Sequence, residues 1–594
     1  MPARLPRPSA PLALAALVAV AGCNVQRAVL NVALPPPAYP AYDSEAQVQA
    51  DARRISDRLA AHVDAWLDGR GPAAIPADLV PDGISPGIKD FRLVRPDDVR
   101  PADYWFVRPA AEVDRDALQG QFPDPHATYL ILIPFFAPFG HQAVIEGEFP
   151  HARFFDVQAS PPFDPAVYVY DGGLGAAEVA LVDADIEPLP GHTNPFRVGA
   201  DRTARRRGYR VALDLRQADG PRTPADLEPT YRPPFRDRGR PTNRRAASAL
   251  NFQGPWGIPG GKGGHGRGAW DVGRVWLRYY APDRGRGPLA GVDLPRVHYQ
   301  TPDGREYMIV ADKRAETARL NQAAVAGRTA PTAPGRTIGP DVGWFKSWGI
   351  FHSVTTGFAQ AIFGPDSDAG REYVRELDLG VTGRGQDQPP PGDYAVSASD
   401  CVYIHYLTRG MALEDGYVAV VAGRMPTTPR TRDGEPRMEA AQARYWSITG
   451  YDPRADVPVP GFAVHSLMDD EVVRDRDNDY VIAFSRPADR PRNATAANGV
   501  TWADWGTLGE ITWTLRWMTV PPEWEGAAVP TPTERALTWA ETAWSSPTFD
   551  WDVVSRNDRD GFLGAYQPVV HYLTRAEFEA LGDRVSPRTL PDWR

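Results

Sequence analysis

The sequence predicts a mainly β protein built as two tandem, internally duplicated, antiparallel β-sandwich or jelly-roll-like lobes. Two observations carry the prediction. Proline and glycine number 61 and 54 in 594 residues, and they punctuate short runs rich in Val, Ile, Tyr, Phe and Trp, such as TYLILIPFF, ARFFDVQ, RVWLRYYA, YVAVVAG and ITWTLRWM. Short β-prone runs bounded by turn formers, without regular strand–helix alternation, indicate sandwiches or barrels rather than a doubly wound sheet.

The second observation is repetition. Ala143 to Pro150 aligns with Ala419 to Pro426, and Ala152 to Val157 with Ala443 to Ile448. Six of these fourteen positions are identical. Leu181-Val182-Asp183 is then answered by Leu467-Met468-Asp469, Tyr209 to Leu213 by Tyr480 to Phe484, and Leu277-Arg278-Tyr279 by Leu515-Arg516-Trp517. Five landmarks in the same order place lobe 1 at 95–310 and lobe 2 at 390–585. The copies differ by insertion, with GPWGIPGGKGGHGRGAW in the first and TTPRTRDGEPRMEAAQ in the second. Such insertions fall in loops, where binding chemistry usually sits.

Taken in order, the chain opens with MPARLPRPSAPLALAALVAVAGCN. Arg4 and Arg7 precede an apolar run from Leu12 to Ala21, too short to span about 30 Å of hydrocarbon as a helix but suited to a signal peptide. Val20-Ala21-Gly22-Cys23 resembles a bacterial lipobox. The resemblance implies a signal peptide of residues 1–22, cleavage before Cys23 and acylation of its thiol, hence a membrane anchor. Asn24 stands where Asp would mark inner-membrane retention, so the resemblance favours an outer-membrane address in a diderm host.

Residues 23–43, rich in proline and alanine, read as an extended tether. Residues 44–94 hold a helix and connector. Ser44 with Gln47 forms a capping-box pattern, Val48, Ala52, Ile55, Leu59, Val63 and Trp66 recur on one face, and Gly69 sits where a C-cap belongs. His62 lies beside this stripe and reads as a half-buried structural histidine. Between the lobes, residues 311–389 include ADKRAETARLNQAAV and a second helical-looking stretch, a short helical segment that could pack across the junction.

Beyond the lipobox, the strands ARFF and ARYW, the Leu-x-Asp turns, DIEPLPGHTNPF and YYAPDRGRGPLAGVDLP resemble uncharacterised exported bacterial lipoproteins with duplicated β-sandwich domains of unknown function. That resemblance implies a fold and an exported address, and it carries no catalytic residues.

The net charge of −10, with no long single-sign block, argues against a nucleic-acid partner. Only four lysines stand beside 61 arginines, a bias that fits GC-rich coding. With Cys23 acylated, Cys401 has no intrachain partner, and in SDCVYIHYL it reads as a small buried residue. Ser85 in GISPG has the nucleophile-elbow spelling without the strand and helix that an elbow needs. The glycine-rich stretch 254–270 lacks the spacing of a phosphate loop. Asp475, Asp477 and Asp479 alternate as Ca²⁺ ligands could, although Tyr480 stands where a calcium loop wants glycine. Trp513 and Trp517 share a strand face and read as core. Trp502, Trp505, Trp524, Trp544 and Trp551 lie in Pro/Gly/Asp-rich segments, where indoles serve either packing or a ligand surface.

Two functions remain open. One is a lipid-anchored, non-catalytic envelope or cell-surface protein that binds a glycan, an envelope partner or a hydrophobic ligand through its lobe loops. The other is an exported hydrolase or lyase using a carboxylate pair, Asp183/Asp185 or Asp550/Asp552.

Overall fold

The computed structural model describes residues 45–80, 87–110, 124–160, 179–215, 249–252, 273–318, 345–346, 404–452, 463–518, 566 and 568–590. The signal segment with Cys23, the tether, Ser44, Ser85, the stretch 254–270, Cys401, Trp524, Trp544, Trp551, Asp550 and Asp552 lie outside the described residues. So does most of the linking segment, whose described start at 314–318 is helical.

Lobe 1 comprises β1 (Lys89–Val94), β2 (Trp105–Arg108), β3 (Ala127–Phe135), β4 (Gln142–Glu148), β5 (Ala152–Ser160), β6 (Val179–Val182), β7 (Gly208–Leu215), β8 (Ala249–Phe252), β9 (Gly273–Pro282), β10 (Arg296–Gln300) and β11 (Glu306–Asp312). Lobe 2 comprises β12 (Phe345–Lys346), β13 (Ile404–Ala412), β14 (Tyr417–Arg424), β15 (Tyr445–Tyr451), β16 (Ala463–Met468), β17 (Asp479–Ser485), β18 (Val500–Asp504), β19 (Glu510–Met518) and β20 (Val569–Thr574).

Each lobe has two sheets. In lobe 1 the orders are β1-β11-β10-β4-β7-β8 and β2-β3-β9-β5-β6; in lobe 2 they are β20-β14-β17-β18 and β12-β13-β19-β15-β16. Apart from β11 and β1, strand for strand, the second lobe repeats the first. The register repeats as well. Gly147 faces Tyr209 as Gly423 faces Tyr480. Asp156 faces Arg278 as Ser447 faces Arg516, and Val157 faces Leu181 as Ile448 faces Leu467. The structure corrects the expectation of purely antiparallel sheets at one place per lobe, because β7–β8 and β17–β18 are parallel. Lys89–Val94, left in the connector by the sequence reading, is an edge strand of lobe 1 paired with β11.

Strand alternation fills the sandwiches. In lobe 1, Phe155 and Val157 of β5 meet Leu277 and Tyr279 of β9, with Ala143, Ile145, Val211 and Leu213 opposite. In lobe 2, Trp446, Ile448, Trp513, Leu515 and Trp517 meet Ala419, Val421, Ile482 and Phe484. Helix α1 (Glu45–Leu67) lays Leu59 and Val63, both fully buried, into the lobe 1 core. The Ser56 hydroxyl accepts the Phe139 N–H at 2.7 Å. Gly69, at φ +74°, ends the helix in the left-handed conformation that a C-cap requires.

Candidate functional site

Among the described side chains of β5, β9, β15 and β19, those that point away from these cores are also buried, Trp276 partly so, and β15 and β19 are buried along their whole lengths. The outward faces therefore need a cover, and each lobe covers the other. Phe154, Val182 and Tyr280 of lobe 1 pack with their counterparts Tyr445, Met468 and Met518 of lobe 2. The Tyr280 and Tyr445 rings lie 5.3 Å apart.

Charged residues of the repeat lock this seam reciprocally. Arg153, in ARFF, donates from Nη1 to Asp469 at 2.5 Å and from Nη2 to Asp470 at 2.7 Å. Arg444, its counterpart in ARYW, reaches Asp183, the counterpart of Asp469, at 3.4 Å. Arg153, Arg444, Asp183 and Asp469 are all fully buried. Each aspartate opens a 3₁₀ turn after an edge strand. Asp183 also accepts the N–H groups of Phe155 at 3.0 Å and Ala184 at 2.6 Å. Burial pushes the Asp469 carboxyl up, while Arg153 and the Thr428 hydroxyl pull it down. Burial also works against the Arg153 charge, but Asp469 and Asp470 outweigh it and hold its pKa above the ordinary value. The net direction for Asp469 is upward, and since a guanidinium does not release its proton in a protein, Arg153 brings a fixed positive charge to the two carboxyls.

The repeat is broken at one point. Arg278 pairs with Asp156 on the neighbouring strand, Nε to Oδ1 at 3.0 Å. Arg516 finds Ser447 at the matching position, and its nearby carboxylate is Asp124 of lobe 1, at 4.0 Å. Asp124 accepts the Tyr445 and Ser447 hydroxyls, each at 2.8 Å. Four buried arginines (153, 278, 444 and 516) thus face four buried aspartates (124, 156, 183 and 469).

The lobe 2 insertion acts as a strap. Met438 and Ala441 enter the lobe 1 core. Backbone bonds join Gly199 to Met438 at 2.8 Å and Arg202 to Pro436 at 2.9 Å. The insertion expected to carry binding chemistry is, along its described length, committed to holding the other lobe.

No family model and no curated protein matches the chain. Among solved structures it is similar to an uncharacterized protein from Burkholderia cenocepacia, at 10% identity and a TM-score of 0.32, covering 90% of this chain and 91% of that one. It is also similar to the VPA0106 protein from Vibrio parahaemolyticus, at 10% identity and a TM-score of 0.29, covering 89% and 100%.

The site residues expected from sequence fall elsewhere. Trp505 is a correction: it is 1% exposed, its ring lies 5.9 Å from Trp513, and its N–H donates to the Leu508 carbonyl at 2.8 Å. A ligand cannot stack on it, because its neighbours already do. Trp502 is half-buried, donates to Ser485 Oγ at 2.9 Å, and has the Arg490 guanidinium 4.3 Å from its ring. Trp513 and Trp517 are core, as expected.

Carboxylate oxygens of Asp475, Asp477 and Asp479 do come within 4.8 Å of one another. Yet Asp475 accepts the N–H groups of Asp477 and Asp479 at 2.8 and 2.9 Å, Arg424 holds Asp479 at 2.7 Å, and Arg588 reaches Asp477 at 3.2 Å. Two guanidiniums already compensate a donor set that Ca²⁺ would need free, so these residues do not fit a calcium ion. Asp183, a candidate acid–base residue, is the buried partner of Arg444.

Sequence reasoning passed over Arg153, Arg444, Asp469 and Asp124. The first three were signalled: an arginine identical in both copies, inside a strand otherwise apolar, has to be buried with a partner. Asp124 belongs to no landmark.

Proposed function

We propose that this chain is a lipid-anchored envelope protein whose lobes, clamped into one body, offer their loops to a glycan or another envelope component. The observation that carries this reading is the segment Val20-Ala21-Gly22-Cys23 behind a short apolar run. Two features of the folded part support it. Helix α1 is rooted in the lobe 1 core, so a tether attached to its N-terminus would lead directly to a folded body rather than to a loose segment. Asp183, which the hydrolase or lyase reading would use as an acid or base, is engaged by Arg444 and two backbone N–H groups. A carboxylate buried on those partners is not placed to exchange a proton with a substrate.

Metabolic labelling with a fatty acid tests the anchor. The wild-type chain should take up label and partition with the envelope fraction, and Cys23→Ala should take up none. A wild-type chain without label, or a Cys23→Ala chain that keeps it, removes the anchor. Capture of envelope glycan or protein by the detergent-solubilised chain tests the binding half separately.

A further inference from the structure

The seam is balanced in charge; one cluster at its rim is not. Three segments meet at His151, on the turn between β4 and β5. Its N–H donates to the Ala290 carbonyl at 2.9 Å, its carbonyl accepts from the Asp283 N–H at 2.8 Å, and the N–H of Phe149, two residues before it, donates to the Arg207 carbonyl at 2.9 Å. Residues 201–210, DRTARRRGYR, and 283–286, DRGR, supply seven arginines and two aspartates to these segments, in a chain whose net charge is −10.

Arg207 is 3% exposed. Its Nη1 lies 2.9 and 2.7 Å from the two ring nitrogens of His151, and its Nη2 donates to the Pro150 carbonyl at 3.2 Å. Its Nε, also buried, has no acceptor among the described residues. Arg202, 6% exposed, chelates Asp283 at 2.7 Å. It also donates to the Glu435 carbonyl of the strap at 2.8 Å. Arg286 runs from the surface past His151; a Cβ added at Gly291 would lie 3.0 Å from its Cδ and 3.3 Å from His151 Cδ2. Arg205, Arg206, Arg284 and Arg286 are exposed, and none has an ion pair among the described residues.

Counting the groups around the imidazole, Arg202, Arg207 and Arg286 give +3 and Asp283 and Glu148 give −2, leaving +1, and the same segments carry Arg205, Arg206 and Arg284 exposed. Uncompensated buried charge is costly, and proteins tolerate it chiefly where a counter-charge arrives. A carboxylate would cancel that count and leave the exposed arginines of the same segments unanswered. A phosphate monoester, about −1.5 to −2 at neutral pH, offsets part of their charge as well and matches the donor geometry of guanidinium forks.

We propose that the His151–Arg202–Arg207–Arg286 cluster is a binding site for a phosphate-class anion, carried either by a free phosphate monoester or by a lipid phosphate headgroup. The site stands on its own geometry, whether or not the chain carries lipid. His151 reports on it. Burial, then Arg207, Arg286 and Arg202, lower its pKa to about 4, and a bound dianion should raise it.

The test titrates the whole chain with inorganic phosphate, by calorimetry and by the ring-proton resonance of His151. Saturable binding should appear together with an upward move of the His151 midpoint. Arg286→Ala, at an exposed position, should weaken phosphate about tenfold or more through the lost charge-assisted bonds, and Arg286→Lys should recover part of that. Arg210→Ala, whose arginine pairs with Glu146 at 3.3 Å outside the cluster, should leave affinity unchanged. No saturable binding, binding without a His151 shift, or equal losses in Arg286→Ala and Arg210→Ala would overturn the proposal. Cosedimentation of the full-length Cys23→Ala chain with phosphatidic acid vesicles, against phosphatidylcholine, then assigns the source. Capture that inorganic phosphate displaces means a headgroup, and phosphate binding without capture means a free monoester.

Discussion

Gly147 and Gly423 occupy the same place in the two copies, and the reason is a tyrosine. A Cβ at Gly147 would come within 2.9 Å of the Tyr209 hydroxyl, and one at Gly423 within 3.1 Å of the Tyr480 hydroxyl. Both rings lie across their cross-strand glycines, and both hydroxyls are buried without a hydrogen-bond partner among the described residues. Gly147→Ala should therefore cost about 1–3 kcal/mol by overpacking. Tyr209→Phe, which removes an orphaned hydroxyl, should be neutral or stabilising. In the Tyr209→Phe background the alanine should cost less, a non-additivity that urea denaturation of the four chains would read directly; strict additivity would mean that the ring does not dictate the glycine. His141 gives a residue-scale pH effect. It is 4% exposed, accepts or donates at 2.8 Å with the Tyr307 hydroxyl, and burial lowers its pKa to about 4. Since the folded value lies below the ordinary 6.5, the unfolded chain binds the proton first. Stability tied to His141 is thus intact above about pH 6.5 and falls as pH drops towards 4, by a few kcal/mol at most. His141→Gln should flatten that part of the curve between pH 7 and pH 4, and an unchanged slope would assign the loss to other groups.

At the scale of elements, legibility followed burial on one face. Helix α1 could be read because a 3.6-residue stripe and a terminal glycine are local signals, and Leu59, Val63 and Gly69 do what the pattern says. The strands of the repeat were legible for a different reason: the same alternation had been written twice, so Ala143 to Gly147 and Ala419 to Gly423 support each other. The parallel pairing of β7 with β8 and β17 with β18 was not legible, since pairing direction depends on where a chain returns and not on its composition. β1 was missed because KDFRLV alternates weakly at a sheet edge and exposes half of its residues. Trp505 stayed open between packing and a ligand surface because Pro/Gly/Asp-rich flanks describe the backbone, whereas its burial comes from Phe484 and Trp513 on other strands. The seam was hard to read for the same physical reason. Its charged residues lie on strands whose outer face would ordinarily meet water, and only the second lobe takes water away.

For the whole molecule, the reciprocal pairing gives the seam the logic of an isologous two-fold interface drawn inside one chain. The same arginine and the same turn aspartate serve on both sides, and Asp124 breaks the equivalence by serving Tyr445 and Ser447 on the far lobe. The two halves of the lock should not be worth the same. Removing Arg153 leaves Asp469 with the Thr428 hydroxyl and weakens the hold on Asp470, whereas removing Arg444 leaves Asp183 with two backbone donors, the N–H groups of Phe155 and Ala184. Breaking a buried pair from one side typically costs about 3–5 kcal/mol, because the remaining charge is buried alone, while replacing both partners with apolar groups is often close to neutral. Arg153→Ala should therefore fall in that range, and Arg444→Ala clearly below it. Arg153→Met combined with Asp469→Leu should recover much of the loss, with Asp470 still served by Arg432 at 3.4 Å. Chemical denaturation monitored by tryptophan fluorescence checks the order, since Trp446 and Trp517 lie beneath the seam in lobe 2. Equal losses from the two arginines would show that the backbone N–H groups do not stand in for the guanidinium. A loss under about 1 kcal/mol from Arg153→Ala, in the range of exposed pairs, would mean that the apolar contacts of Phe154, Tyr280, Tyr445 and Met518 hold the lobes without the lock.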